Sequence, residues 1–261
     1  MDRINEKIQL SKQKLKALPF RKIAPNIVTL LALCAGVTSI RYSIQGDWAK
    51  AVLCVFVAAF FDLLDGRVAR MLKGSTKFGA ELDSLCDCIS FGVAPAIMIF
   101  QWTMYDLPKF GWFFCLLLTV GMALRLARFN TMLEDEPMPV YWQHFFVGVP
   151  APAAAALVMM PIMLSFNFPE YEAVLRSNVF CAILLVVVTF LMVSRIPTFS
   201  TKKLKVPTYL MMPLMLIVAL FASFMITQPW MTLGIMTMLY ALSIPFGVLV
   251  FIREKKEFER R

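Results

Sequence analysis

Apolar segments of about 20 residues, the length a helix needs to cross a hydrocarbon core of roughly 30 Å, recur along almost the whole of this 261-residue chain. Short charged or Pro/Gly-containing breaks separate them, and they fall near 25–43, 48–70, 79–101, 110–130, 146–166, 178–196, 208–227 and 230–252. The last two arise from one 44-residue run, Tyr209 to Ile252, which is too long for a single span and is interrupted by "TQPW" at 227–230, read as a tight hairpin. With 59% apolar and only 16% charged residues, the composition excludes an ordinary soluble domain. The expected fold is all-α, a polytopic helical membrane protein of about eight transmembrane helices.

Positive loops stay on the cytoplasmic side. Placing both termini there leaves only Arg41, Lys50, Lys109 and Arg176 of the 26 lysines and arginines on the far side, which fits an even number of spans. The first 22 residues are polar and basic, without the short apolar core and small-residue cleavage site of a leader peptide. Ile4, Ile8, Leu15 and Leu18 fall on one helical face among lysines, so an interfacial amphipathic helix on the cytoplasmic leaflet is expected over 1–22. The net charge of +9 is explained by topogenic loops and attraction to anionic lipid. No nucleic-acid partner is expected, because the basic residues are dispersed rather than gathered on one face. The six cysteines lie in apolar spans, where cysteine behaves as a small hydrophobe. The single histidine, His144, reads with Tyr141 and Trp142 as an interfacial aromatic cluster.

Against this background four carboxylates stand out. Ionisable residues inside a span are costly and mark function by default. Asp62 and Asp65 are spaced i, i+3 at the end of the second span, and Asp83 and Asp87 are spaced i, i+4 at the start of the third, with Glu81 nearby. Each pair therefore shares one helical face. Gly74-Ser75 in the connection can turn the chain so that the two helices run antiparallel and the four acids meet at one depth, just below the cytoplasmic interface. Four like charges there repel one another unless neutralised. Hard divalent cations suit carboxylate oxygens, so Mg²⁺ or Mn²⁺ is the expected cofactor, with two ions fitting the ligand count and pointing to phosphoryl-type substitution. Gly66, Ala69, Gly79 and Ala80 allow close approach of helices or ligand, and Arg67, Arg70, Lys73 and Lys77 bring phosphate-binding charge to the same mouth.

The pattern Asp62-x2-Asp65-Gly66-x2-Ala69-Arg70-x8-Gly79-x3-Asp83-x3-Asp87 resembles the signature of the CDP-alcohol phosphatidyltransferases. These are membrane enzymes, usually homodimers, that move a phosphatidyl group from a CDP-lipid to an alcohol and release CMP. "DGRVARMLKGSTKFGAELDSLCDCISFGVAPA", "RLARFN" at 125–130, "FVGVP" at 146–150 and "SRIPTFSTKK" at 194–203 are similar to the phosphatidylserine synthase branch. The resemblance covers roughly 20–205 and implies CDP-diacylglycerol and L-serine as substrates. It also implies a six-helix catalytic core over 23–205, followed by a two-helix hairpin and basic tail over 206–261. By position, Asp62, Asp65 and Asp83 would be metal ligands, and Asp87 both a ligand and the general base. "PNIVT" matches the family's nucleotide-contact element, so Asn26 and Thr29, with Asp62, Gly66, Ala69, Arg70, Thr76 and Gly79, would hold the CDP-lipid. For the serine carboxylate the resemblance points to Arg128, with Arg125 and Asn130 as weaker candidates.

The implied reaction is direct attack of the serine hydroxyl on the lipid-side phosphorus, with Asp87 taking the proton. Other acceptors, glycerol 3-phosphate or inositol phosphate, would require a second basic pocket, for which Arg195, Lys202 and Lys203 are available. A cation-coupled transporter would instead spread its acids along a path through the bilayer, whereas here they cluster at one face. The expected setting is a lipid bilayer, by default a prokaryotic plasma (inner) membrane, with the active site facing the cytoplasm.

Overall fold

The computed structural model describes residues 20–72, 74, 76–132, 145–199 and 211–259. Its helices are α1 (Phe20–Ile44), α2 (Trp48–Leu72), α3 (Lys77–Met104), α4 (Pro108–Met132), α5 (Ala151–Ser165), α6 (Asn178–Val193), α7 (Met211–Thr227) and α8 (Pro229–Glu259). Each of the eight apolar segments carries one of them. By length and composition, four are able to cross a membrane alone, in α1, α3, α4 and α8, and α5 makes a fifth when joined across a 110° bend to Pro169–Leu175. α6 and α7 are shorter apolar helices. α2, 25 residues long, carries Asp62, Asp65, Arg67 and Arg70 in its second half. Helices of this kind satisfy their own backbone hydrogen bonds, which is what a bilayer demands. The expected interfacial helix lies outside the described residues except for 20–22, which open α1, and the His144 cluster lies outside them altogether.

Local chemistry sets the joints. Between α1 and α2 the chain turns at Gly46, whose φ of 75° is the left-handed conformation glycine adopts freely. Asp47 then caps α2, accepting from the Lys50 backbone N–H at 3.2 Å and from Lys50 Nζ at 2.7 Å. The same hydrogen bonds from Lys50 hold the exposed Asp47 carboxyl below its usual range. α3 contains two π-helical stretches, Cys88–Val93 and Phe100–Met104. In the first, the Ala94 N–H reaches back five residues to the Ile89 carbonyl, a wide turn just before Pro95, which has no N–H to give.

Small residues set how near the helices come. A Cβ on Gly36 of α1 would run into Ser90 of α3, and one on Gly121 of α4 would run into Thr189 of α6. Such contacts let helices pack by close backbone approach where lipid offers no hydrophobic drive. Around them sits a core of Phe91, Met98, Ile99, Leu118, Met122, Ile162, Leu185 and Met192, all essentially fully buried.

Among the described residues, the structure departs from a purely helical fold at one place. Phe145–Val147 (β1) and Pro197–Phe199 (β2) pair antiparallel, with Phe146 opposite Thr198 and Val147 opposite Pro197. The fifth segment is therefore helical only from Ala151, and the sixth stops at Val193. Pro150 is extended, with ψ 150°, and Gly148 is left-handed, with φ 76°, so no helix can run through them.

The close crossings yield a test. Gly36→Val and Gly121→Val each overpack a fixed contact, at a cost of about 1–3 kcal/mol, and should lower the midpoint of thermal unfolding in detergent. An unchanged midpoint in both variants would show that the crossings relax freely.

Candidate active site

Two helix ends and one cap place the acids. Thr76 opens α3, its Oγ1 accepting from the Gly79 N–H at 2.9 Å, and α3 then packs along α1 with Asp83 and Asp87 one turn apart, within reach of Asp62 of α2. Single carboxylate oxygens of Asp62, Asp83 and Asp87 then lie within 4.8 Å of one another, none of the three residues being fully exposed. Asp65, the fourth expected ligand, turns towards α1: it is 6% exposed and accepts from Thr29 Oγ1 at 2.7 Å. The four acids thus divide into a cluster of three and a neighbour tied to the first helix. Three carboxylates so close repel strongly outside bulk water. The partly buried guanidinium of Arg125, on α4, interacts electrostatically with both Asp87 and Asp62.

Two clefts flank this cluster. The first, of about 140 Å³, is lined by Asn26, Thr29, Gly66, Ala69, Thr76 and Gly79, together with Asp65 and Asp83. Six of the residues expected to touch the CDP-lipid therefore surround one space. Gly79 is confined: a Cβ there would lie 2.9 Å from Asn26 Oδ1 and 3.1 Å from Thr76 Oγ1. Arg70 reaches over Gly66, its Nη1 3.8 Å from where a Cβ would stand.

The second cleft, of about 240 Å³, shares Ala80 and Asp83 with the first and is also lined by Ser84, Asp87, Arg125, Phe129, Asn130 and Pro150. Arg125 donates through Nε to the Val149 carbonyl at 2.7 Å. Asn130 donates through Nδ2 to Ser84 Oγ at 3.0 Å. Arg128 is elsewhere: its Nη1 donates to the Val193 carbonyl at 2.6 Å and its Nη2 to that of Ser194 at 3.2 Å. It caps the C-terminus of α6, where unpaired carbonyls attract a cation. Of the three residues considered for the serine carboxylate, the structure brings Arg125 and Asn130 to the cleft and leaves Arg128 outside its lining.

The segments "RLARFN", "FVGVP" and "SRIPTFS" meet here. Arg125 holds Val149, Arg128 holds the end of α6, and Thr198 Oγ1 donates to the Gly148 carbonyl at 2.9 Å. Gly148 has to be glycine, since a Cβ would lie 2.8 Å from the Met192 carbonyl oxygen. Sequence reasoning passed over Ser84 and Thr198. The only signal for Ser84 was a polar residue between two acids on one helix.

Known proteins resemble this chain. A family model described as CDP-alcohol phosphatidyltransferase matches residues 22–193, and one described as CDP-alcohol phosphatidyltransferase 2 matches 209–245. The CDP-diacylglycerol–serine O-phosphatidyltransferase of Mycobacterium leprae is 37% identical over 227 residues, covering 87% of this chain and 75% of that protein. The protein of the same name from Helicobacter pylori (strain ATCC 700392 / 26695) is 33% identical, covering 86% and 89%. The fold is similar to the crystal structure of Mycobacterium tuberculosis phosphatidylinositol phosphate synthase with CDP-DAG bound, at a TM-score of 0.50 and 20% identity, covering 78% of this chain and all of that one. With the aspartate pattern intact on facing helices and the family model spanning the helices that carry it, the chain belongs to the CDP-alcohol phosphatidyltransferase family.

Proposed function

We propose that the protein is a CDP-diacylglycerol–serine O-phosphatidyltransferase, moving a phosphatidyl group from CDP-diacylglycerol to the hydroxyl of L-serine and releasing CMP. The observation that carries this reading is the cleft in which "RLARFN" and the end of "FVGVP" meet Asp83 and Asp87, with "SRIPTFS" bonded behind it through Thr198 and Gly148. The relatives of that name support it.

The charges of the cleft favour serine over a phosphorylated acceptor. Among the described residues lining it, Arg125 is the one cation, against the two carboxylates of Asp83 and Asp87. Glycerol 3-phosphate or inositol phosphate would bring a dianionic group to a space with a single positive charge. Serine is a zwitterion, so its carboxylate can face Arg125 while its ammonium tolerates the acids. The transporter reading loses support from the same geometry. Its acids would follow a path, whereas these gather at one depth, and the apolar segments of α4 to α8 contain no acid.

The donor set fits a hard divalent cation, since three carboxylate oxygens within 4.8 Å form an all-oxygen site. Asp62, Asp83 and Asp87 would hold it, with Asp65 adjacent. Mg²⁺ or Mn²⁺, two per site by the family's ligand count, would neutralise charge on the diphosphate as CMP leaves. The protein's own groups do the rest. Asn26, Thr29 and Thr76 hold the cytidine end in the first cleft, where Gly66 and Gly79 leave room against the backbone, and Arg70 steadies the diphosphate. Arg125 orients the acceptor carboxylate, and orientation contributes much of the rate. Asp87 lines the acceptor cleft and belongs to the carboxylate cluster, so it is placed to take the hydroxyl proton. The serine oxygen bonds to the lipid-side phosphorus, and the bond from that phosphorus to the oxygen of CMP breaks.

The wider setting belongs to the same proposal. The catalytic core runs over 23–205, followed by a two-helix hairpin and basic tail over 206–261. All eight apolar helices cross a prokaryotic inner membrane, both termini and the site face the cytoplasm, and the enzyme is a homodimer as in its family. Serine then arrives from water while the acyl chains of the donor stay in lipid.

Purified protein given CDP-diacylglycerol and a divalent cation should release CMP with serine and not with glycerol 3-phosphate or inositol phosphate, and a chelator should abolish the release. CMP formation with a different alcohol alone would replace the acceptor. Asp87→Asn should lower kcat by about 10²–10⁴-fold, and normal turnover by that variant with cation still bound would remove the base assignment. Arg125→Met should raise the KM for serine by about tenfold or more while leaving that for the CDP-lipid nearly constant. Arg128→Met should act mainly on thermal stability, and a selective serine effect there would return the acceptor role to Arg128.

A further inference from the structure

The C-terminal helix α8 carries no signature residue, yet it docks closely on the core. A Cβ on Gly234 would lie 2.9 Å from Leu164 Cδ2 of α5, and Trp230 meets Phe166 edge to face, with ring centroids 5.3 Å apart. Two turns further along, Tyr240 and Ile244 enter the core, and α8 packs against β2.

Tyr240 is the unusual residue of this contact. Its hydroxyl oxygen is buried and makes no hydrogen bond of regular geometry among the described residues, although Thr198 stands close enough to be its partner. A phenylalanine would fill the same space without leaving a polar atom unmet, so packing alone does not account for the hydroxyl. Its neighbours do. The hydroxyl stands beside Thr198 and within electrostatic range of Arg125. Thr198 spends its own proton on the Gly148 carbonyl at 2.9 Å, which leaves its oxygen lone pairs available to accept. The residue after Gly148 is Val149, whose carbonyl anchors Arg125 Nε at 2.7 Å. The Gly148 N–H is held in turn by the Ile196 carbonyl at 2.9 Å.

We propose that Tyr240 is a positioning residue for the acceptor cleft: its hydroxyl donates to Thr198 and completes a relay through Thr198 and the Gly148–Val149 turn that fixes the guanidinium of Arg125. Polar chains of this kind strengthen one another away from water. The last helix thereby becomes part of acceptor recognition, although it does not line the cleft. The inference rests on the reading of the second cleft as the acceptor's, and not on which alcohol enters it.

Tyr240→Phe removes only the hydroxyl. In the full-length protein, assayed by CMP release, it should raise the KM for serine about three- to tenfold, with kcat, the KM for CDP-diacylglycerol and the thermal midpoint nearly constant. Thr198→Val should give the same split, and the double variant should show no more than the larger single effect, because both lie in one relay. Ser243→Ala, on the same helix, should leave all parameters unchanged. An unaltered acceptor KM in Tyr240→Phe, a parallel change in both KM values, or full additivity with Thr198→Val would overturn the proposal. If the wild-type protein releases CMP only with another alcohol, the serine reading fails. The same comparison made with that alcohol still decides the role of Tyr240.

Discussion

Mutual repulsion among Asp62, Asp83 and Asp87 is the constraint that organises the rest of the molecule. Three carboxylate oxygens within 4.8 Å in a partly buried setting are unfavourable unless positive charge is supplied, and the nearby helices are arranged to hold the acids together regardless. Gly36 lets α1 close on α3 at Ser90. Thr29 of α1 ties down Asp65, and the Thr76 cap fixes where α3 begins and so at what depth Asp83 lies. A rigid scaffold is what such a site needs, since the repulsion would spread flexible helices before a cation or substrate arrived.

From that centre the chemistry divides spatially. Asp83 borders both clefts, so on the proposed reading a phosphorus atom presented from the first would be within reach of a nucleophile in the second. The first cleft is made by small residues and short polar side chains, which allow a nucleotide to lie against helix backbone. The second is made by longer side chains of α4, Arg125, Phe129 and Asn130, of which Arg125 is anchored on the turn before α5 and Asn130 on Ser84 of α3. On the proposed reading, donor and acceptor would be recognised by different kinds of surface, and the acceptor's surface would depend on elements far apart in sequence.

This division also explains which features could be read from the amino-acid order. Eight apolar stretches set the helices, because a bilayer leaves the backbone little alternative. The i, i+3 and i, i+4 spacings set the pairing of the acids, because helical periodicity is local. Non-local choices were hidden. Arg125 and Arg128 are one turn apart on the same helix, and nothing in "RLARFN" says which faces the cleft. That is decided by where α6 ends, more than sixty residues later, since its unpaired carbonyls capture Arg128. The three-residue strands were invisible for a similar reason: each is too short to show alternation, and their pairing joins residues about fifty positions apart. Asp65 looked equivalent to Asp62 until Thr29 supplied it with a separate partner.

The small sheet has a physical logic of its own. A helix running straight through Gly148 and Pro150 would leave Arg125 with no exposed carbonyl to bind, because helical carbonyls are already engaged four residues on. Breaking the helix there frees the Val149 carbonyl for Arg125 and the Gly148 carbonyl for Thr198, while the β1–β2 ladder satisfies neighbouring groups that lipid could not. Glycine at 148 is then required twice, by its positive φ and by the Met192 carbonyl 2.8 Å from any Cβ. An irregular turn buried in protein can therefore orient a cation more firmly than a continuous helix would, and the break in α-structure is what lets this membrane fold hold an arginine beside its carboxylates.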